Sequence, residues 1–323
     1  MVHLHVAWFV DPQRYPVQWD LVLSGRTLLA LAAAAGAAAL LFALQRMVGD
    51  PNWPRFTFLS KMAVGAPALL AVQGAIALIY SGVQPVLLAP HLHVANGIGG
   101  AVIGALEVGV GFAFITGIGD RVASAVLVGL VALTLVLFPP LDALAQLYWV
   151  GVAAVIYVIG RQAVAAERPR QAAGFHIPVS PPRAVAALRV LTGLAIVAPA
   201  LAEKIWNPGI AQAFLDQHPA FNFPRHLLGL DWVTDDRFIL AAGIAEFTIG
   251  VLLVTGLLTR VVILAMWLPF NLTIPFLPAQ ELIWHIPVFG IIYFLLVHGA
   301  DLAPDSRQHS SDGGRRDPTT ALR

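Results

Sequence analysis

Two glutamates inside apolar runs carry the first chemistry this sequence offers. Glu107 lies in Gly104–x–x–Glu107–x–x–x–Gly111 and Glu246 in Gly243–x–x–Glu246–x–x–x–Gly250. These spacings put both glycines and the acid on one helix face. A neighbouring helix can then approach closely and shield the acid from lipid. A carboxylate held in hydrocarbon is costly, so it needs a partner or a task. Two roles fit: a proton-active or ligand-binding group, or a paired acid that locks the helices together. For Glu246 the candidate cations are Arg189, a turn into the preceding apolar run, and Lys204 at the far end of that run. Glu107 has no cation within its own apolar runs. Its candidate states are protonated, hydrogen-bonded to Gln73, or paired across the two halves of the chain.

Histidine supplies the second candidate chemistry. Four of the ten histidines fall in two stretches of one pattern, His3-Leu4-His5 and His91-Leu92-His93, each followed by Val-Ala. An extended His-x-His turns both rings to one side and offers two imidazole ligands. Two such pairs that met in space would suit Cu or Zn. No cysteine or carboxylate spacing completes a site, and interfacial histidines beside Trp8 and Phe9 are the competing reading. His285 stands apart, in Glu281-Leu282-Ile283-Trp284-His285-Ile286-Pro287. Glu281 and His285 are four residues apart and can face one way. The pair fits either packing at a helix start or a quinone-carbonyl or proton-transfer role.

The elements that must position these groups are membrane helices. Of 323 residues, 58% are hydrophobic and 11% charged, and mean hydropathy is +0.78. A soluble domain carries about 25% charge and cannot hide this much apolar surface. The formal net charge of +1 gives no electrostatic case for a nucleic-acid partner. The absence of cysteine excludes a CxxC relay, thiolate metal sites and disulfides within this chain. No nucleophile triad, phosphate loop, dinucleotide fingerprint or complete metal site is visible, so the sequence does not make the chain an enzyme. Arginine dominates over lysine and alanine is abundant, which reads as GC-rich, bacterial coding. Met1–Asp20 lacks the basic start and apolar core of a cleavable signal.

Nine apolar runs are long enough to cross a hydrocarbon core of roughly 30 Å. They lie near Leu21–Leu44, Ala63–Val83, Ile98–Ile118, Val122–Phe138, Leu141–Ile159, Val185–Leu201, Phe238–Leu258, Val261–Leu277 and Leu282–His298. With the N-terminus outside, most of the arginines collect on the cytoplasmic side, which predicts N-out, C-in and an inner (plasma) membrane location. The two glutamate motifs stand 139 residues apart, and that offset persists through Thr116/Thr255, Gly117/Gly256, Arg121/Arg260, Pro139/Pro278, Gly151/Gly290 and Gly160/Gly299. It predicts a duplicated unit of four helices, the two copies parallel about the membrane normal. The expected organisation is an outer tail and first helix (1–62), a first four-helix unit (63–160), a cytoplasmic linker (161–183), a second four-helix unit (184–300) and a disordered tail (301–323). The long loop Trp206–Arg237, with a short helix expected at Ala211–Leu215, is placed to cap the second unit. Thr116 and Thr255 are expected to bond their own helix backbones, and Arg26 to snorkel to the interface.

Several of these stretches resemble the DoxX-like membrane family. They are Ala245-Glu246-Phe247 with Gly250–Arg260, Arg189-Val190-Leu191-Thr192-Gly193, Glu203-Lys204-Ile205-Trp206-Asn207-Pro208, and Glu281–Pro287. The second unit matches over most of its length. The first matches in its second to fourth helices, lacks the arginine and the Glu-Lys pair, and has Gln146 where the offset puts His285. The resemblance implies four-helix bundles. It also implies a membrane subunit or anchor of a quinone-linked redox system, with a redox partner protein and a ligand or proton-active site in the second unit. Two further readings stand beside it: a small-molecule or metal (Cu/Zn) carrier using the histidines, and a non-enzymatic assembly factor or scaffold.

Overall fold

A computed structural model of the chain describes residues 6–160, 181–273 and 279–300. Residues 161–180 of the predicted linker (161–183), the tail at 301–323, and His3 and His5 fall outside the described residues, while the last three linker residues already belong to a helix.

Within the described residues, each of the nine apolar runs is helical over most of its length. In chain order the elements are α1 (Gly25–Val48), α2 (Thr57–Met62), α3 (Ala66–Gly82), a hairpin of β1 (Val86–Leu87) and β2 (Ala89–His93), α4 (Ile98–Thr116), α5 (Asp120–Leu137), α6 (Pro140–Leu144) and α7 (Tyr148–Ile159). Next come α8 (Pro181–Ala200), a π turn (Leu201–Ile205), α9 (Pro208–Gln217), α10 (Phe223–His226), α11 (Asp235–Thr255), α12 (Thr259–Thr273) and α13 (Ala279–His298). Six spans are long and apolar enough to cross a membrane: α1, α4, α5, α6–α7, α8 with its π turn, and α11. Only 17% of the apolar window of α1 is buried inside the protein, so most of that helix presents alanine and leucine outward. Leu40 and Val136 are 68% and 79% exposed. An apolar belt of this kind marks an integral membrane protein. The hairpin is the one departure from an all-helical chain among the described residues.

The helix ends follow local chemistry. α4 and α11 each stop at a glycine in the left-handed region, Gly117 (φ 71°) and Gly256 (φ 76°), whose N–H donates to Ala113 O and Leu252 O. Only glycine adopts that conformation without a Cβ clash. Thr116 and Thr255 donate to their own helix backbones at 2.8 Å, as expected. Two residues past each cap the chain is again left-handed, at Gly119 in one half and at Leu258 (φ 39°) in the other. Leu258 tolerates this because its side chain is fully buried and its N–H donates to Gln45 Oε1.

The helices interlock across the midpoint of the chain. α4 packs on α3, and α11 packs on α8. The last helix of each half then packs on the first helix of the other: α7 lies along α8, and α13 along α3. α3, α7, α8 and α13 form the inner layer, α4, α5, α11 and α12 flank it, and α1 leans on α11. Glycines set the two cross-half contacts. A Cβ at Gly151 would stand 2.6 Å from Leu188 Cα, and one at Gly290 would stand 3.4 Å from Leu70 Cα. Gly111 abuts Ala75 O as Gly250 abuts Gly193 O. In each comparison the two glycines are 139 residues apart and their partners 118 apart. The difference between the two offsets is the extra loop that holds α9 and α10.

That loop and the N-terminal segment make a small core of their own at one end of the bundle, referred to below as the hairpin end. Val6, Ala7 and Val10 pack with Ile210, Phe214, Leu215 and Phe238. Asn207 donates to Tyr15 O at 2.5 Å and Gln18 N–H to Trp206 O at 2.8 Å, tying the two segments together. The expected helix at Ala211–Leu215 is longer than its apolar core suggests, because Pro208 pre-sets its first turn. At the opposite end Arg260 ties α13 to the loop after α1. Its guanidinium donates to Leu296 O and Val297 O of α13 and to Asn52 O and Pro54 O of the loop after α1. Arg26 pairs with Asp236, joining the starts of α1 and α11.

Candidate functional site

Among the described residues, the π turn creates the most highly charged buried site. Pro199 lies inside α8 and cannot donate to the helix ladder. The chain then widens, with Trp206 N–H reaching Leu201 O at 2.8 Å. Ala202, Glu203, Lys204 and Ile205 are buried in succession, which a regular surface helix does not allow. Gly243 makes the room: a Cβ there would stand 2.9 Å from Lys204 Cβ.

Lys204 Nζ meets Glu246 Oε2 at 2.8 Å, and the two side chains are 1% and 4% exposed. Lys204 also acts electrostatically on Glu203 beside it. The Glu203 carboxylate accepts the Val6 N–H and the Ala7 N–H of the N-terminal segment. Asp142 of α6 adds a third carboxylate within electrostatic range of Glu203. Several acids thus crowd one buried ammonium, and Glu246 Oε1 has no hydrogen-bond partner among the described residues.

Arg189 is not the partner of Glu246. Its Nη1 donates to Leu253 O and Val254 O, and the guanidinium lies over Gly256. It caps the C-terminal carbonyls of α11, where the helix dipole favours a cation. Lys204 takes the glutamate because the π turn carries it inward to the face that Gly243 leaves open.

The equivalent acid in the first half is held differently. Glu107 is fully buried and its Oε1 accepts the N–H of Leu88 at 2.7 Å. Leu88 joins the two strands of the hairpin with φ 63°, which aims its N–H down into the helices. Gln73, the candidate partner, points elsewhere: its Oε1 lies against Gly290 of α13. The offset that aligns α3 with α8 pairs Leu88 with Trp206, so one glutamate position is closed by a backbone N–H and the other by an ammonium.

His285 is 2% exposed and stands at the hairpin end among aromatic rings. Trp8 lies edge-on at 4.9 Å and Phe270 at 5.5 Å, while the adjoining Trp284 contacts Tyr80 at 5.3 Å. Gln146, its counterpart in the first half, is 1% exposed, and neither amide atom has a partner among the described residues. Glu281 lies in the first turn of α13, but its side chain lies outside the described residues.

His91 and His93 sit on β2 with Leu92 turned inward between them. They line a cleft of about 450 Å³ whose other wall is Ala7–Pro12. Among the described residues no three His, Cys, Asp or Glu side chains are grouped as a metal-binding set.

Sequence reasoning missed Asp142, the seating of the N-terminal segment on Glu203, and the hairpin. The adjacency of Glu203 and Lys204 just past an apolar run, four residues after Pro199, is a signal that could have pointed to the acid site. Compared with protein-family profiles, curated proteins and solved structures, the chain matches none.

Proposed function

We propose that the chain is a DoxX-like, tandemly duplicated membrane subunit of a quinone-linked redox system, with nine spans, its N-terminus outside and its C-terminus in the cytoplasm. In this reading Glu203, Lys204 and Glu246 form a proton-active site in the second half, next to a ligand position at His285. The observation that carries it is the pair of buried carboxylates around one ammonium. That arrangement holds a labile proton without an added cation, and quinone reduction consumes protons at membrane depth. The aromatic rings around His285 supply apolar faces for a quinone ring, and the imidazole supplies a donor for its carbonyl. Matched glycine contacts at one offset support the duplication, and the arginine distribution supports the orientation.

Purification in mild detergent followed by solvent extraction tests this. Stoichiometric quinone in the native protein, lost in Glu246→Gln and in His285→Ala, is the expected result. Quinone-free native protein overturns it. Orientation is read separately. The chain has no cysteine, so Asp20→Cys and Gln308→Cys report their sides of the membrane to an impermeant thiol reagent without background.

One observation favours a second reading, a non-enzymatic assembly factor or scaffold. Glu107 and Glu246 both close on partners inside the protein, as structural staples do. A stable membrane partner recovered with no quinone supports that role instead.

A further inference from the structure

One short segment covers both parts of the proposed site. Val6 and Ala7 are buried, and their N–H groups donate to the Glu203 carboxylate. The next residue, Trp8, lies edge-on to His285 at 4.9 Å and also lines the cleft against β2. Trp8 therefore stands between that cleft and His285. The chain is held in two ways. Farther along, Tyr15 O and Gln18 N–H bond to Asn207 and Trp206, which fixes it on the second half. At Val6 and Ala7 the hold is apolar packing on α9 plus two backbone N–H bonds to one titratable group. The charge state of that group sets the strength of the hold. A carboxylate accepts N–H bonds at roughly twice the strength of a neutral acceptor. A protonated carboxyl turns one oxygen into a donor, which an N–H cannot match. Among the described residues the charged groups facing Glu203 are Lys204 beside it, Glu246 on α11 and Asp142 on α6. α9, which also packs on the π turn, carries one acid, Asp216, and it is exposed. Arg183 and Arg189 lie in the half of α8 away from the π turn. One ammonium cannot balance three carboxylates, so a proton on Glu203 relieves the excess.

We propose that Val6–Trp8 is a latched gate over the ligand position at His285: the Glu203 carboxylate holds it shut, and a proton arriving on Glu203 releases it and joins the cleft to His285. The access role rests on the ligand position proposed above; the latch itself does not. Apolar packing of Val6, Ala7 and Val10 keeps the closed form dominant, so protonation acts by raising the population of an open minority. The latch is tight at high pH, where Glu203 is charged, and loosens as pH falls. In a quinone-reducing cycle it admits ligand when the site already carries a proton to be consumed.

The test uses the full chain, which has no cysteine of its own. Ala7→Cys places one thiol under the gate, and Asp20→Cys, at an exposed position, supplies the intrinsic thiol reactivity at each pH. The ratio of their labelling rates in mild detergent reads gate opening. It is expected to rise about tenfold or more from alkaline to mildly acidic buffer, the factor that follows when charge-assisted bonds become neutral ones. Glu203→Gln keeps the size of the side chain and offers a neutral acceptor, so in Ala7→Cys/Glu203→Gln the ratio is expected to be high at every pH. Amide hydrogen exchange across Val6–Trp8, compared between the native chain and Glu203→Gln at one pH, reads the same opening without an added thiol. It is expected to be faster in Glu203→Gln, with exchange in α3 equal in both. A labelling ratio that does not change with pH, or Val6–Trp8 exchange as slow in Glu203→Gln as in the native chain, overturns the proposal. Neither measurement uses a quinone, so quinone-free native protein overturns the earlier reading and leaves the latch to its own result.

Discussion

Lys204→Met removes the ammonium from the most buried charge cluster, and the structure sets the size and order of the effects. Lys204 and Glu246 are 1% and 4% exposed at 2.8 Å, so neither recovers water when the other is lost. Breaking such a pair from one side costs about 3–5 kcal/mol. Lys204→Met strands two neighbours, Glu246 and Glu203. Glu246→Gln strands less, because Lys204 keeps its attraction to Glu203. The expected order of destabilisation is therefore Lys204→Met, then Glu246→Gln, with the double variant Lys204→Met/Glu246→Gln milder than Lys204→Met alone, since it leaves one fewer uncompensated charge. At about 2–4 °C per kcal/mol, Lys204→Met should lower the unfolding midpoint by roughly 6–20 °C. The assay is thermal unfolding in one detergent at one scan rate, with all four proteins compared as a double-mutant cycle. A Lys204→Met midpoint within about 2 °C of native, or equal losses for both single variants, would refute the charge accounting.

Three further outcomes follow from the packing. Glu107→Leu orphans the Leu88 N–H and should cost about 1–3 kcal/mol, whereas Glu107→Gln keeps an acceptor and should cost less than about 1 kcal/mol; hydrogen exchange at the hairpin amides separates them. Gly151→Ala drives a Cβ to 2.6 Å from backbone at Leu188, whereas at Gly290 the nearest atom is the movable end of Gln73. Gly151→Ala should therefore lose about 1–3 kcal/mol and Gly290→Ala clearly less, read again as unfolding midpoints. Finally, a chain divided between Gly160 and Pro181 should still copurify as two fragments when coexpressed, because α7 holds α8 and α13 holds α3 across the cut. Fragments that separate in mild detergent would contradict that interlock.

What the sequence determined by itself is what depends on short-range chemistry. Hydropathy placed the long apolar helices, six of which are long enough to cross a membrane, because an apolar run of membrane length has few alternatives to a helix in lipid. The glycines at 117 and 256 marked helix ends, because a left-handed residue closes the last turn whatever surrounds it. The constant offset between the halves was legible as spacing alone. Tertiary structure decided the partners. Glu107 meets a backbone N–H 19 residues away, and Glu203 meets Val6 across 197 residues. Neither distance leaves a local pattern, since the donor in each case is a backbone N–H, which no residue type betrays. Arg189 and Lys204 looked equivalent as candidate cations on one apolar run. Only the π turn after Pro199 separates them, sending the lysine inward to Glu246 and leaving the arginine to the exposed carbonyls of α11. The interlock of the two halves was likewise beyond reach: each unit's helices have apolar faces that would pack equally well on their own unit or on its copy, and the chain chooses through glycines whose fitting partner lies in the other half.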